Sequence, residues 1–178
     1  MKYAHGEYAS ASKEHINKYK MAHCIGVAEY MRDNAWKYGE DKNKMYAIGL
    51  LHDIGYLEGR KDHEATSYEI LDSLGMSEDI LFAIVNHGKN PYEVEDAFQK
   101  NLLKECPVLV LLYEADMSVN AQGYKVGFDK RLQDIGDRYG YDHIAYETAS
   151  NTVKFVKEKH KELGLHKGKK GAEHEEVR

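Results

Sequence analysis

The sequence predicts an all-α protein. Apolar residues recur at helical spacing through most of the chain, only Pro91 and Pro107 interrupt a chain otherwise free to form helix, and capping residues stand where the apolar stripes begin and end. From Ala22 to Gly39, Cys24, Val27, Ala28, Met31 and Ala35 share one face and Gly39 supplies a C-cap. This is the chain's second apolar-periodic segment, and His23 is expected at the start of its helix. Asp41 caps a third, DKNKMYAIGLLHDIG, with Met45, Ile48, Leu51 and Ile54 as its stripe and His52 and Asp53 in its last turn.

LEGRKD reads as a loop. HEATSYEILDSLG returns to helix through Ala65, Tyr68, Ile70, Leu71 and Leu74 and ends at Gly75. Ser77, followed by Glu78 and Asp79, opens a fifth helix that closes at His87 and Gly88, the acidic pair suiting the helix dipole. GKNPYEVED reads as a polar loop and FQKNLLKEC as a weak amphipathic helix. PVLVLLYEADMSV carries five apolar residues in a row, as a buried strand would, but its helical setting and Pro107 at a first-turn position favour helix. Two more helices are expected, near Phe128 to Arg138 and over DHIAYETASNTVKFVKEKHKEL.

The chain has 178 residues, enough for one compact domain, and shows no repeat and no linker rich in Pro, Gly or Ser. Residues 1–164 therefore read as a single domain and 165–178 as a disordered tail that has lost its apolar content. With 25 Lys and Arg against 30 Asp and Glu the net charge is −5, which argues against general nucleic-acid binding. Cys24 and Cys106 form no CxxC and sit among apolar neighbours, as buried thiols do in a reducing compartment. MKYAHGEYAS lacks an apolar signal-peptide core, and no window approaches the ~18 apolar residues of a membrane span. A cytoplasmic protein without a membrane partner is expected, and a homodimer is compatible with a helical bundle.

Once the helices are drawn, His23, His52, Asp53, His63, His87 and Asp116 all fall at or near helix ends, and ends at one mouth of a bundle can converge. A mixed imidazole and carboxylate set suits Fe, Mn, Zn, Co or Ni, whereas Mg and Ca prefer oxygen alone. A carboxylate can bridge two ions and an imidazole cannot, so Asp53 is the natural bridge. His23, His52 and Asp116 would complete one shell, and His63 with His87 the other. The remaining histidines, His5, His15, His143, His160, His166 and His174, read as solvated surface. Tyr56 stands beside the motif. Arg60 and Lys89, in the loops that follow, are candidate phosphate clamps, Arg through a bidentate fork and Lys as a point charge.

The order His23, His52-Asp53, Asp116 resembles the HD superfamily of metal-dependent phosphohydrolases, and HDIG at 52–55 matches its common subset. AHCIGVAEYM, LLHDIGYLEG and YEADMSV look like the family's first, second and last motifs, so the resemblance spans roughly residues 15–120. His63 and His87 look like the additional pair of the dinuclear, six-ligand branch, which includes HD-type hydrolases of symmetrical dinucleoside polyphosphates. GKNP stands after His87 where those hydrolases carry Thr-Thr-Gly, and the interval from Asp53 to His63 is shorter than theirs.

The resemblance implies two divalent transition-metal ions, iron or manganese foremost, with zinc, cobalt, nickel or magnesium as further candidates. It implies an enzyme that cleaves a phosphoester or phosphoanhydride of a nucleotide, such as a dinucleoside polyphosphate, or of a small phosphorylated metabolite. The expected agent is metal-activated water, with Asp53 as the catalytic orienter. HD-fold mixed-valent di-iron oxygenases share the six-ligand order and form the first alternative. A non-catalytic nucleotide-binding domain is the second, disfavoured because all six positions are filled.

Overall fold

The computed structural model describes residues 13–58 and 62–165. Those residues form helices only: α1 (Lys13–Asn34), α2 (Lys42–Leu51), α3 (His63–Ser73), α4 (Glu78–Asn86), α5 (Pro91–Phe98), α6 (Leu102–Glu105), α7 (Pro107–Asp116), α8 (Phe128–Tyr139) and α9 (Ile144–Glu162), with 3-10 turns at Ala35–Tyr38 and Ile54–Glu58. Among the described residues the only β-type pairing is an isolated bridge between Val119 and Lys125 in the loop after α7. The expected all-α class is the one observed. The disordered tail proposed after Gly164 lies, from residue 166 on, outside the described residues.

Local chemistry accounts for most boundaries. Asp41 accepts from the Asn43 and Lys44 amides at the start of α2, Asp62 from the Ala65 amide at the start of α3, and Pro107 sits in the first turn of α7. Three expectations are corrected. No breaker lies between Lys13 and Asn34, so α1 runs unbroken and His23 sits in its middle, not at a helix start. The segment expected to be a polar loop forms α5, because Asn90 accepts from the Tyr92 amide as N-cap, Pro91 takes the first position and Val94 is buried. The buried face of α3 is Thr66, Ser67 and Leu71, while Tyr68 and Leu74 of the expected stripe face solvent.

The axis of the fold is α7, whose side chains from Val108 to Ala115 are all buried. It packs against α1, α2, α4, α6, α9 and the first 3-10 turn, and its Leu109, Leu111 and Leu112 join Val27, Met31, Met45, Ile48, Leu71, Ile84 and Phe155 in one core. A smaller cluster of Met117, Ile135, Ala149 and Val153 joins α8 and α9 to the end of α7. Both cysteines are free and buried, as expected of small core residues. No described helix is long and apolar enough to cross a membrane.

One charge inside this core is structural. Glu114 is buried and accepts from the Tyr30 hydroxyl at 2.8 Å, the Tyr38 hydroxyl at 2.7 Å and Lys37 Nζ at 3.0 Å. His160 Nε2 of α9 lies 3.0 Å from Oε2, the oxygen that also accepts from Tyr38. His160 is therefore packed onto the core and not simply solvated, as its charged neighbours had suggested. Burial alone would raise the Glu114 carboxyl; His160, Lys37 and Tyr38 outweigh it and hold the pKa down at about 2, from an ordinary 4.5. The stability this group contributes is thus present above about pH 4.5 and lost as the pH falls toward 2. Glu114→Gln is expected to cost about 2–3 kcal/mol at pH 7 and to flatten the pH dependence of urea-unfolding stability across that window. An unchanged slope in the variant would show that Glu114 is not the acid-sensitive group.

Candidate metal centre

The structure brings all six sequence-selected residues to one place. His23 comes from the middle of α1, His52 and Asp53 from the turn that ends α2, His63 from the first residue of α3, His87 from the C-cap of α4, and Asp116 from the last residue of α7. Their imidazoles form a chain, with ring centroids 5.5 Å apart for His23 and His52, 5.2 Å for His52 and His87, and 5.8 Å for His87 and His63. His23, His52, Asp53 and His87 are buried.

Two groups of ligand atoms result, His23 with His52 and Asp116, and Asp53 with His63 and His87, the atoms of each within 4.8 Å of one another. Cys24 forms a third such group with His52 and Asp53, but burial pushes its thiol up to about 12. Asp53 lies between the two main groups. Its Oδ1 is 3.4 Å from both His63 Nε2 and His87 Nε2, and its Oδ2 is 3.6 Å from His52 Nε2.

The hydrogen bonds behind the rings explain their orientation. His52 Nδ1 donates to Gly49 O at 2.8 Å, His87 Nδ1 to Ile84 O at 2.6 Å and His23 Nδ1 to Asn120 O at 3.1 Å. A carbonyl can only accept, so each of these places a ring proton on Nδ1 and turns Nε2 toward the centre, where in the neutral ring it offers a lone pair. Ring nitrogens and carboxylate oxygens thus converge, with His23 Nε2 and Asp116 Oδ1 in hydrogen-bonding contact at 2.9 Å. A set of converging acceptors is what a cation requires, and its mixed nitrogen and oxygen character fits a divalent transition metal.

The acids and rings of the centre shift one another's protonation. Burial would raise Asp53, but His52, His87 and Lys20 hold it well below the usual carboxylate range. Asp116 is likewise held low against burial, by His23 first and then by Arg131. Burial lowers His52 to about 4 and also lowers His63. His87 goes the other way, to about 9, because its hydrogen bond and charge attraction to Asp53 exceed the cost of burial.

Two cations at the site escaped the sequence reading. Lys20 Nζ lies 3.3 Å from Asp53 Oδ2 and 3.6 Å from the centre of the Tyr56 ring, and Asp53 raises its pKa despite burial. It stands one helical turn before His23, so a helix extended upstream would have put both on one face. Arg131 of α8 donates from Nε to Asp116 O at 3.3 Å, and its Nη2 lies 3.7 Å from Asp116 Oδ1; no short-range sequence signal marks it. Arg60 falls outside the described residues. Lys89 lines a cavity of about 460 Å³ with Asp62, Glu64, Ala65 and Val85, residues close in sequence to His63 and His87, and its Nζ donates to Asn86 Oδ1 at 3.1 Å.

The model of the HD domain family matches residues 21–123, more than half of the chain. The chain belongs to the HD-domain family. Searches among curated proteins and among solved structures gave no match. Proteins of the HD-domain family are typically metal-dependent phosphohydrolases, and the His and Asp groups of this HD domain could hold divalent metal.

The glycine of the HDIG string has a packing reason. A Cβ at Gly55 would collide with the carbonyl oxygen of His63 and with the Ser67 backbone, while the Gly55 amide donates to Ser67 Oγ at 2.9 Å. Only glycine lets the turn carrying His52 and Asp53 approach the start of α3. Gly55→Ala is expected to destabilise the fold by about 1–3 kcal/mol and to lower metal retention by moving His63 away from Asp53. Thermal unfolding and metal analysis check both, and wild-type values in each would contradict this packing argument.

Proposed function

We propose that this HD-domain protein is a dinuclear metal-dependent phosphohydrolase acting on a phosphoester or phosphoanhydride of a small metabolite, a nucleotide such as a dinucleoside polyphosphate foremost. The observation that supports this reading is Asp53, whose two oxygens are directed to opposite sides, toward His63 and His87 and toward His52. A carboxylate so placed is suited to bridging two ions. In this reading His23, His52 and Asp116 hold one, His63 and His87 the other, and Asp53 both. Divalent ions there would supply Lewis acidity toward phosphoryl oxygen and acidify a water molecule.

The chain's own residues supply the rest. Six ligand side chains carry only two carboxylates, so two dications leave a net positive pocket in an acidic protein, which draws in a polyanion. Lys20, at Asp53 and over Tyr56, is placed to take a phosphoryl oxygen as a charged donor. Lys89 borders the adjoining cavity and can meet the far end of a substrate. The backbone carbonyls behind His23, His52 and His87 keep those rings from turning as substrate enters.

Metal analysis of protein prepared without chelator or affinity tag tests the reading first; about two ions per chain are expected, with iron or manganese predominant. Phosphate or nucleotide release should then appear in a screen of nucleotides and dinucleoside polyphosphates, equally with and without O₂. Turnover that demands O₂ and iron would replace hydrolysis by oxygenase chemistry. Asp53→Ala is expected to lose metal and to reduce turnover more than about 100-fold with its helical circular dichroism intact; retained turnover would overturn the assignment. Lys20→Gln should raise KM about 10–100-fold, the worth of one charge-assisted hydrogen bond, with kcat less affected, and an unchanged KM would remove Lys20 from substrate contact.

A further inference from the structure

The four histidines of the centre are not anchored alike. His23, His52 and His87 donate through Nδ1 to backbone carbonyls, those of Asn120, Gly49 and Ile84. His63 faces a side chain instead, with Nδ1 3.0 Å from Glu64 Oε2. The reason is positional: His63 is the first residue of α3, so no helical carbonyl lies one turn behind it. Its ring is braced on one face by Tyr56, stacked at 4.0 Å and 22°. Its side chain is also more exposed than the other three, at 16% against 5% or less.

The surroundings make room for Glu64. A Cβ at Gly88, next to His87, would stand 2.5 Å from Glu64 Oε1, so the glycine leaves the space through which this carboxylate reaches its position. Glu64 also lines the cavity that Lys89 borders. It is thus held between the ring that it faces and the second histidine's neighbour.

We propose that Glu64 is a positioning residue for the second metal position: it fixes His63 with Nε2 toward Asp53, and so governs occupancy of the Asp53, His63 and His87 group independently of the His23, His52 and Asp116 group. The inference rests on the two-metal reading. A carboxylate on Nδ1 selects the tautomer whose Nε2 is free and makes that nitrogen a better donor. A backbone carbonyl does the same for the other three rings, yet no substitution can remove it. The two groups therefore differ in how their rings are held: both imidazoles of the first face backbone carbonyls, whereas in the second His87 faces a carbonyl and His63 a replaceable side chain. A Glu in the first turn of a helix also favours the helix dipole, and that role alone would leave metal binding unchanged.

The test uses the full chain as wild type, Glu64→Ala and Glu64→Gln, each dialysed against graded Mn²⁺ and analysed for ions per chain, with ¹⁵N imidazole shifts recorded in the Zn²⁺ form. Wild type should bind two ions. Glu64→Ala should bind the first with unchanged affinity and the second about 10–100-fold more weakly, with the His63 Nδ1-protonated signature lost. Glu64→Gln, which keeps an acceptor at Nδ1, should recover most of that affinity. Two ions bound by Glu64→Ala as tightly as by wild type would overturn the inference and leave the two-metal reading standing, as would equal loss of both ions with a lowered melting temperature, which marks a purely structural role. A single ion in wild type would overturn the two-metal reading and the inference with it.

Discussion

A carboxylate removed from water costs several kcal/mol even after its surroundings relax, and Asp53 is such a group, only 6% exposed. What compensates it arrives from four different segments: Lys20 from α1, His52 from its own turn, His63 from α3 and His87 from the end of α4. None of these contacts is local apart from His52. The charge is tolerable only in the finished fold, so the packing of α1 and α4 against α7, and of α3 against α4, is a condition for Asp53 and not a background to it.

Orientation is handled by the backbone. A helix that ends presents carbonyls without helical partners, and this protein spends two of them, Gly49 O and Ile84 O, on the Nδ1 atoms of His52 and His87. The same elements that leave a helix unfinished therefore aim the side chains that follow it. Asn120 O does this for His23 from a turn in which the Gly123 amide donates to the same carbonyl. Three of the six side chains are oriented in this way, by backbone carbonyls and without a dedicated side chain.

Much of this was legible in the residue order. The helical class followed from periodicity and the scarcity of proline, and the cap at Asp41 and the first-turn Pro107 are where local chemistry put them. The six chemistry-bearing residues stood out because the residue order put all of them at or near helix ends, which can converge; five are there, and His23 joins them from the middle of α1. What was not legible depended on longer range. Asn90-Pro91 has the same composition as a turn, and only the burial of Val94 makes it a helix start. Lys20 was hidden by a helix boundary placed too late. His160 carries a surface-like sequence context, yet it meets Glu114 because α9 folds back over α7. Arg131 reaches Asp116 across a loop whose path no short pattern encodes.

The reach of Arg131 has a consequence for how such a protein diversifies. The portion shared with the family ends at residue 123, and it contains every one of the six converging residues. The counter-charges do not respect that border: Lys20 precedes it and Arg131 follows it, one beside each acid of the centre. The six ligand candidates and these two counter-charges thus lie on different stretches of chain. Substitution at Lys20 or Arg131 can therefore change the polarity met by an incoming molecule while leaving the six converging side chains in place.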